Sequence, residues 1–370
     1  MSVRARSGVC VLVAASLAVI AWASPVPDRV TDRPIYEATA ARTIVPDCSD
    51  LHCFRVLVAW TLGAMPGPSL EKWKAYAVMA NTGAAIAVLA LSLAWGLSRR
   101  AALMAMCASA FGFGSLYTLH DVYTSDPLMY ALGPLVVLLL ARERVAIAGA
   151  VAVVGVMAKE FVAAPLFIVA VWSWWEGRRS MALRVLVAAN AAFIAWLVLQ
   201  LTLMLRFNYS YDENPSTHLL SGGYLLPWIV QQSPRGAVSA LFNEFGAWWL
   251  LAPAGLWIAP PSLRRLAAVS LPVAALFAYV QQPDRALWNF HFLLTPLAAL
   301  VLDRAPAVLA WSTIGVFALA NLRVGAQLPA VPPARFALVV SVVLALAVMA
   351  WAWRTRGSTG ARQAGVAAYA

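Results

Sequence analysis

Ionisable residues are scarce in this chain, and where two or three stand together their spacing invites a chemical reading. Lys159-Glu160 is the sharpest case. The pair is flanked by Gly155-Val156-Met157-Ala158 and Phe161-Val162-Ala163-Ala164, so little polar loop is present to keep it in water. A charge at the centre of a membrane helix costs about 2.5–3.5 kcal/mol on insertion scales, and such residues usually mark a site. Neighbours on a helix point about 100° apart, so lysine and glutamate suit different partners. An exposed hairpin tip is the other reading. The turn His120-Asp121-Val122-Tyr123-Thr124-Ser125-Asp126-Pro127 sets an imidazole and two carboxylates where chains re-enter an apolar region. Asp126 before Pro127 also fits a helix cap with proline at the first helical position, which leaves Asp121 and His120 unexplained.

Three further segments carry mixed signals. In Thr31-Asp32-Arg33-Pro34-Ile35-Tyr36-Glu37, Asp32 is either a helix cap ahead of Pro34 or a carboxylate held just above a membrane plane. Cys48-Ser49-Asp50-Leu51-His52-Cys53 places two thiols five residues apart, suited to a small disulfide in an oxidising compartment. One imidazole between two thiols is not a recognised zinc spacing. Asp284-Arg285-Ala286-Leu287-Trp288-Asn289-Phe290-His291 offers Arg285 and His291 either to an anionic head group or as interfacial anchors. Arg206-Phe207-Asn208-Tyr209-Ser210-Tyr211 combines aromatic and amide groups that suit sugar binding and equally a membrane-interface belt.

The elements that position these groups follow from composition. Of 370 residues 62% are hydrophobic and only 12% charged, against roughly a quarter charged in soluble domains. Water cannot surround so few charges, so the expected class is an all-α polytopic membrane protein folded as one integral domain over 1–370. Apolar stretches fall at about 8–24, 76–97, 101–119, 127–141, 145–158, 161–175, 183–205, 245–261, 266–280, 290–302, 306–322 and 337–353, which predicts twelve crossings.

Charge gives the direction. With a cytoplasmic amino terminus, strict alternation puts fifteen arginines inside, among them Arg99, Arg100, Arg142, Arg144, Arg178 and Arg179, with only Glu143, Glu176 and Asp303. The remaining twelve basic and thirteen acidic residues lie outside, with all four histidines. Short basic inside turns are what the positive-inside rule describes. The net charge of +11 therefore reflects topology, and nucleic acid is not an expected partner. Both termini are cytoplasmic on this reading, with a tail at 355–370, while residues 25–75 and 206–244 form large extracytoplasmic loops. Ala21-Trp22-Ala23 resembles a signal-peptidase site, but retention of the first span is expected.

In order and sidedness these segments resemble the membrane-embedded glycosyltransferases of the GT-C fold, such as mannosyl- and arabinosyltransferases that use polyprenyl-phosphate sugars. Asp32 to Tyr36 matches an Asp-x-x-x-Tyr segment after the first span. Thr124-Ser125-Asp126-Pro127 matches an acidic turn between the third and fourth spans. Lys159-Glu160 closes the next hairpin, and Trp288 to Pro296 approaches a late span. His291 departs from the pattern, since many members place an arginine there. The resemblance implies short interfacial helices in the first loop and a membrane location, in the plasma or inner membrane, with an extracytoplasmic active face. It implies Asp32 as catalytic base, and Asp121, Asp126 and His120 as groups orienting the acceptor or a divalent cation, Mg or Mn. Lys159, Glu160, Arg285 and His291 would hold the donor's phosphate and sugar. Partners would be a polyprenyl-phosphate-linked sugar, membrane lipids and a glycan, lipid or protein acceptor. A secondary transporter would instead show internal repeats and polar residues near the bilayer midplane, and a lipid-linked polysaccharide polymerase or ligase would share the outside arginines and acids.

Overall fold

The computed structural model describes residues 3–27, 32–211, 245–280, 287–331 and 334–367. These residues are helical or in turns, with no strand among them. Helix α1 (Val3–Ala23) leads into a first loop folded as α2 (Arg33–Arg42), a 3₁₀ turn (Leu51–Phe54) and α3 (Val56–Gly63). Next come α4 (Ser69–Ala94), α5 (Arg99–Ala110), α6 (Phe113–His120), α7 (Asp126–Ala141) and α8 (Val145–Gly155). A second 3₁₀ turn (Glu160–Ala163) precedes α9 (Ala164–Trp175) and α10 (Arg179–Phe207). Beyond residues 212–244 lie α11 (Trp248–Leu256), α12 (Pro261–Val280), α13 (His291–Leu302), α14 (Ala307–Val324) and α15 (Ala334–Ala367).

Each of the twelve apolar stretches is helical, but they are not equal in length. Among the described residues, five segments are long and apolar enough to cross a membrane: Ser69–Ala94, Arg99–His120, Arg179–Phe207, Ala307–Val324 and Arg335–Thr355. Others, including Asp126–Ala141, Val145–Gly155 and His291–Leu302, have 10–17 residues. At 1.5 Å per residue these fall short of a hydrocarbon layer of about 30 Å. The Arg99–His120 span is itself broken at Phe111-Gly112, between α5 and α6.

The helices pack as α4 on α7, α5 and α1, α10 on α8 and α9, and α13 on α11 and α5. Helix α10 turns Leu183, Val187, Ile194, Val198 and Leu205 outward. Such an apolar face is costly in water and ordinary in lipid, so the protein is a membrane protein. Its first loop is packed rather than loose. Helices α2 and α3 meet at Gly63, where a Cβ would lie 2.1 Å from the Ala40 carbonyl oxygen. Cys48 and Cys53 are joined in a disulfide that closes the turn between them.

Candidate active site

Helix α2 sets the site. Pro34 lies in its first turn, where a missing N–H costs nothing, and the Asp32 carbonyl accepts the Tyr36 N–H at 3.1 Å. Asp32 occupies the cap position but makes no capping hydrogen bond with its side chain. Its carboxylate instead points Oδ2 at His52 Nε2, 3.2 Å away. Asp32 thus stands at the helix start, as the bland reading has it, but its side chain is committed to His52 and not to the cap. Below it, Tyr36 packs on Trp73 of α4, ring centroids 5.2 Å apart, and Trp73 also meets Tyr76 and Tyr123. This aromatic group, buried almost completely, fixes α2 against α4 and the 120–126 turn.

Lys159 and Glu160 serve different partners, since Lys159 is extended and Glu160 opens the 3₁₀ turn. The Lys159 ammonium pairs with the Asp126 carboxylate, and both side chains are buried, 3% and 1% exposed. Glu160 takes the Arg55 guanidinium with both oxygens, at 2.8 Å from Nη2 and 3.3 Å from Nε. A forked contact of this kind is among the stronger polar interactions in proteins. Lys159 is thus not a hairpin tip. Asp126 is not the helix cap: Ser125 stands at that position and Asp126 begins α7, with its N–H donated to Thr124 Oγ1 at 3.3 Å.

The two ion pairs and Asp32 converge on Tyr36, whose hydroxyl lies 3.5 Å from Ser125 Oγ. Burial pushes the Tyr36 hydroxyl up to about 12, Arg55 pulls it back, and Asp32 and Asp126 push it further. Burial works against the Arg55 charge, but Glu160, Tyr36 and Asp126 outweigh it and hold the guanidinium charged. Burial would raise the Asp50 carboxyl, yet hydrogen bonds from the His52 ring and backbone carry it below the usual carboxylate range. A carboxylate favoured in the folded state contributes stability at neutral pH that is lost as pH falls through its lowered value.

The remaining candidates lie apart. The His120 ring bonds the Pro25 carbonyl, tying α6 to the chain leaving α1, and Asp121 accepts the Tyr117 hydroxyl at 3.3 Å. His291 is fully buried, stacked on Trp288 at 5.6 Å, with Nδ1 3.0 Å from the Trp288 carbonyl. Trp288 in turn fills the break between α5 and α6, where a Cβ on Gly112 or Gly114 would meet its ring at 1.9 and 2.2 Å. Arg285 lies outside the described residues, as does most of the second large loop. The start of that loop docks onto the first: Asn208 Nδ2 donates to Asp47 Oδ1 at 2.8 Å, and Tyr211 stacks on Phe54 at 4.5 Å. For a divalent cation the fit is poor. Among the described residues no three His, Cys, Asp or Glu side chains converge as ligands, and Asp126 is engaged by Lys159.

Arg55 is the residue that sequence reasoning missed. It opens the apolar run Val56-Leu57-Val58-Ala59-Trp60, and a charge set directly against such a run was the available signal. His52 was visible only as a weak metal candidate, and its contacts are instead with two carboxylates.

No family pattern matches the sequence, and no curated protein resembles it by sequence. Solved structures do resemble it. The oligosaccharyltransferase of Archaeoglobus fulgidus in its apo form superposes with a TM-score of 0.52 at 14% identity, covering 93% of this chain. The archaeal oligosaccharyltransferase AglB from the same organism, in complex with an inhibitory peptide and a dolichol-phosphate, gives 0.52 at 14% identity over 94%. The chain has the GT-C fold of these enzymes. It spans about half of their length, 55% of each.

Proposed function

We propose that the protein is a membrane glycosyltransferase that moves a sugar from a polyprenyl-phosphate donor to a lipid, glycan or protein acceptor on the extracytoplasmic face. One observation carries this reading: Asp32, at the head of α2, turns its carboxylate away from the cap and into a polar cluster built from three separate segments, in a chain with the GT-C fold. Asp32 takes the proton from the acceptor hydroxyl as its oxygen attacks the anomeric carbon. The leaving phosphate needs cations, and Arg285, in the segment before α13, is assigned to it. Lys159 with Asp126 and Glu160 with Arg55 hold the rim on which donor and acceptor meet. His120 and Asp121, on the α6 side, orient the acceptor.

The donor's polyprenyl chain is assigned to an open apolar groove of about 610 Å³ between α11, α12 and α13, lined by Phe245, Trp249, Trp257, Leu271 and Leu294. Leu287 and Phe290 line the same groove. AglB was solved with a dolichol-phosphate, which supports a lipid-phosphate ligand for this fold. We assign twelve crossings with both termini cytoplasmic. A membrane-impermeant thiol reagent should then label Ser216→Cys from outside and leave Ser180→Cys unlabelled.

The deciding experiment incubates purified protein with a panel of polyprenyl-phosphate sugars and measures transfer and hydrolysis. Asp32→Asn should insert and fold, because the Asp32 side chain makes no capping hydrogen bond for the change to remove, while transfer falls by about 10²–10⁴. Wild-type turnover in that variant overturns the assignment of Asp32.

A further inference from the structure

His52 has no part in the reaction as drawn above, yet it stands between two carboxylates. Its Nδ1 is 2.6 Å from Asp50 Oδ1 and its Nε2 is 3.2 Å from Asp32 Oδ2. The same Asp50 oxygen accepts the His52 backbone N–H at 2.7 Å, so ring and backbone are anchored together. Tyr36 meets the ring edge-on, with centroids 5.7 Å apart. The Cys48–Cys53 disulfide spans the short segment that carries both Asp50 and His52.

An ionised carboxylate only accepts hydrogen bonds, so the short contact to Asp50 assigns a proton to Nδ1. In the neutral ring Nε2 is then the proton-accepting nitrogen, and it stands 3.2 Å from Asp32 Oδ2, within reach of a proton that Asp32 has taken. This is the logic by which one acid fixes the tautomer of a histidine so that its other nitrogen takes a proton. We propose that His52 is a positioning residue for Asp32 and the onward carrier of the acceptor's proton.

The inference rests on Asp32 being the base. In the transfer step the acceptor O–H bond breaks, its oxygen bonds to the anomeric carbon, and the bond from that carbon to the phosphate oxygen breaks. The electron pair of that last bond leaves on the polyprenyl phosphate. The proton passes from the acceptor oxygen to Asp32 and from Asp32 to His52 Nε2. Asp32, His52 and Asp50 thereby go from two negative charges to one, as an imidazolium between two carboxylates. Water at the rim removes the proton and resets the trio, since the His52 side chain is 20% exposed.

Among the described residues, the ionisable groups around His52 are Asp32 and Tyr36 from α2, Asp50 from its own turn, and Arg55. Arg55 acts on Asp50, and its charge is met by Glu160.

The chain has four histidines, so ¹⁵N-histidine labelling of the full-length protein in detergent, with His52→Gln for assignment, resolves the His52 ring. Wild type should show the Nδ1-protonated tautomer of the neutral ring, and Asp50→Asn should leave a mixture of both tautomers. In the transfer assay His52→Gln should lose about 10²-fold in kcat with the donor KM little changed. An Nε2-protonated ring, or a His52→Gln enzyme whose loss falls on KM and not on kcat, overturns the proposal. The expected tautomer and coupling in a protein that transfers no sugar would uphold the proton chain and overturn the glycosyl-transfer reading instead.

Discussion

Around Tyr36, Asp126 meets Lys159, Glu160 meets Arg55, and His52 lies between Asp32 and Asp50. Around His291, by contrast, polar atoms are buried among rings and aliphatic chains. Among the described residues, His291 Nε2, Trp288 Nε1 and both amide atoms of Asn289 have no hydrogen-bond partner. The first region is made from segments far apart in sequence, the second mostly from one run of four residues at the head of α13. Charges brought together from distant segments satisfy one another, and so hold those segments in place. Polar groups delivered by a single helix end have no such partners, and aromatic packing decides where they sit. In the first region, side chains that look like ligands from sequence are also structural; in the second, a side chain that looks like a ligand is chiefly packed.

The contrast is tested most severely at the Lys159–Asp126 pair. Removing one partner of a buried pair leaves an uncompensated charge and typically costs about 3–5 kcal/mol. Lys159→Met should therefore unfold far more easily in detergent, by denaturant or heat. Adding Asp126→Leu should recover most of that loss, because an apolar pair avoids the desolvation penalty. A single Lys159→Met variant as stable as wild type would show that the pair does not hold α7 against the 159–163 turn.

A smaller loss is expected at the second pair. Glu160 is 23% exposed and Gln keeps one oxygen for Arg55, so Glu160→Gln should cost about 1–3 kcal/mol. The effect should be local. Arg55 sits between the first 3₁₀ turn and α3, so proteolysis or hydrogen exchange should register loosening of residues 47–57 before the rest of the molecule. Uniform loosening would mean that Arg55 and Glu160 do not tie the first loop to the 160–163 turn.

The helices were legible because apolar length is a property of each stretch by itself. Their ends were less so: α4 begins at Ser69 and not near 76, since Leu70 and Trp73 pack although Glu71, Lys72 and Lys74 dilute the hydropathy. Asp32, Asp126, Lys159 and Glu160 stood out because a chain with so few charges gives each one weight. Their pairing did not. Lys159 lies 33 residues from Asp126 and Glu160 lies 105 from Arg55, and no local rule joins residues at those distances. The need for glycine at 112 and 114 is not local either, because the Trp288 ring that occupies the space of their missing side chains comes from the approach to α13.

The smallest effect expected is also the one that best separates the two regions. His291→Phe removes the Nδ1 bond to the Trp288 carbonyl, worth about 1 kcal/mol, but also removes a buried Nε2 without a partner, whose desolvation costs about 1–3 kcal/mol. Phenylalanine can keep the stacking on Trp288 and the edge contact with Tyr130. The two terms oppose each other, so stability should change by no more than about 1 kcal/mol, and an increase is as consistent as a small decrease. Donor affinity should also hold, because a ring enclosed by Trp288, Tyr130 and Phe292 does not present its nitrogen to a phosphate. Titration of a polyprenyl phosphate against both proteins measures this directly. A loss of donor binding at unchanged stability would return His291 to the phosphate, and would mean that α13 moves to expose it when the donor enters.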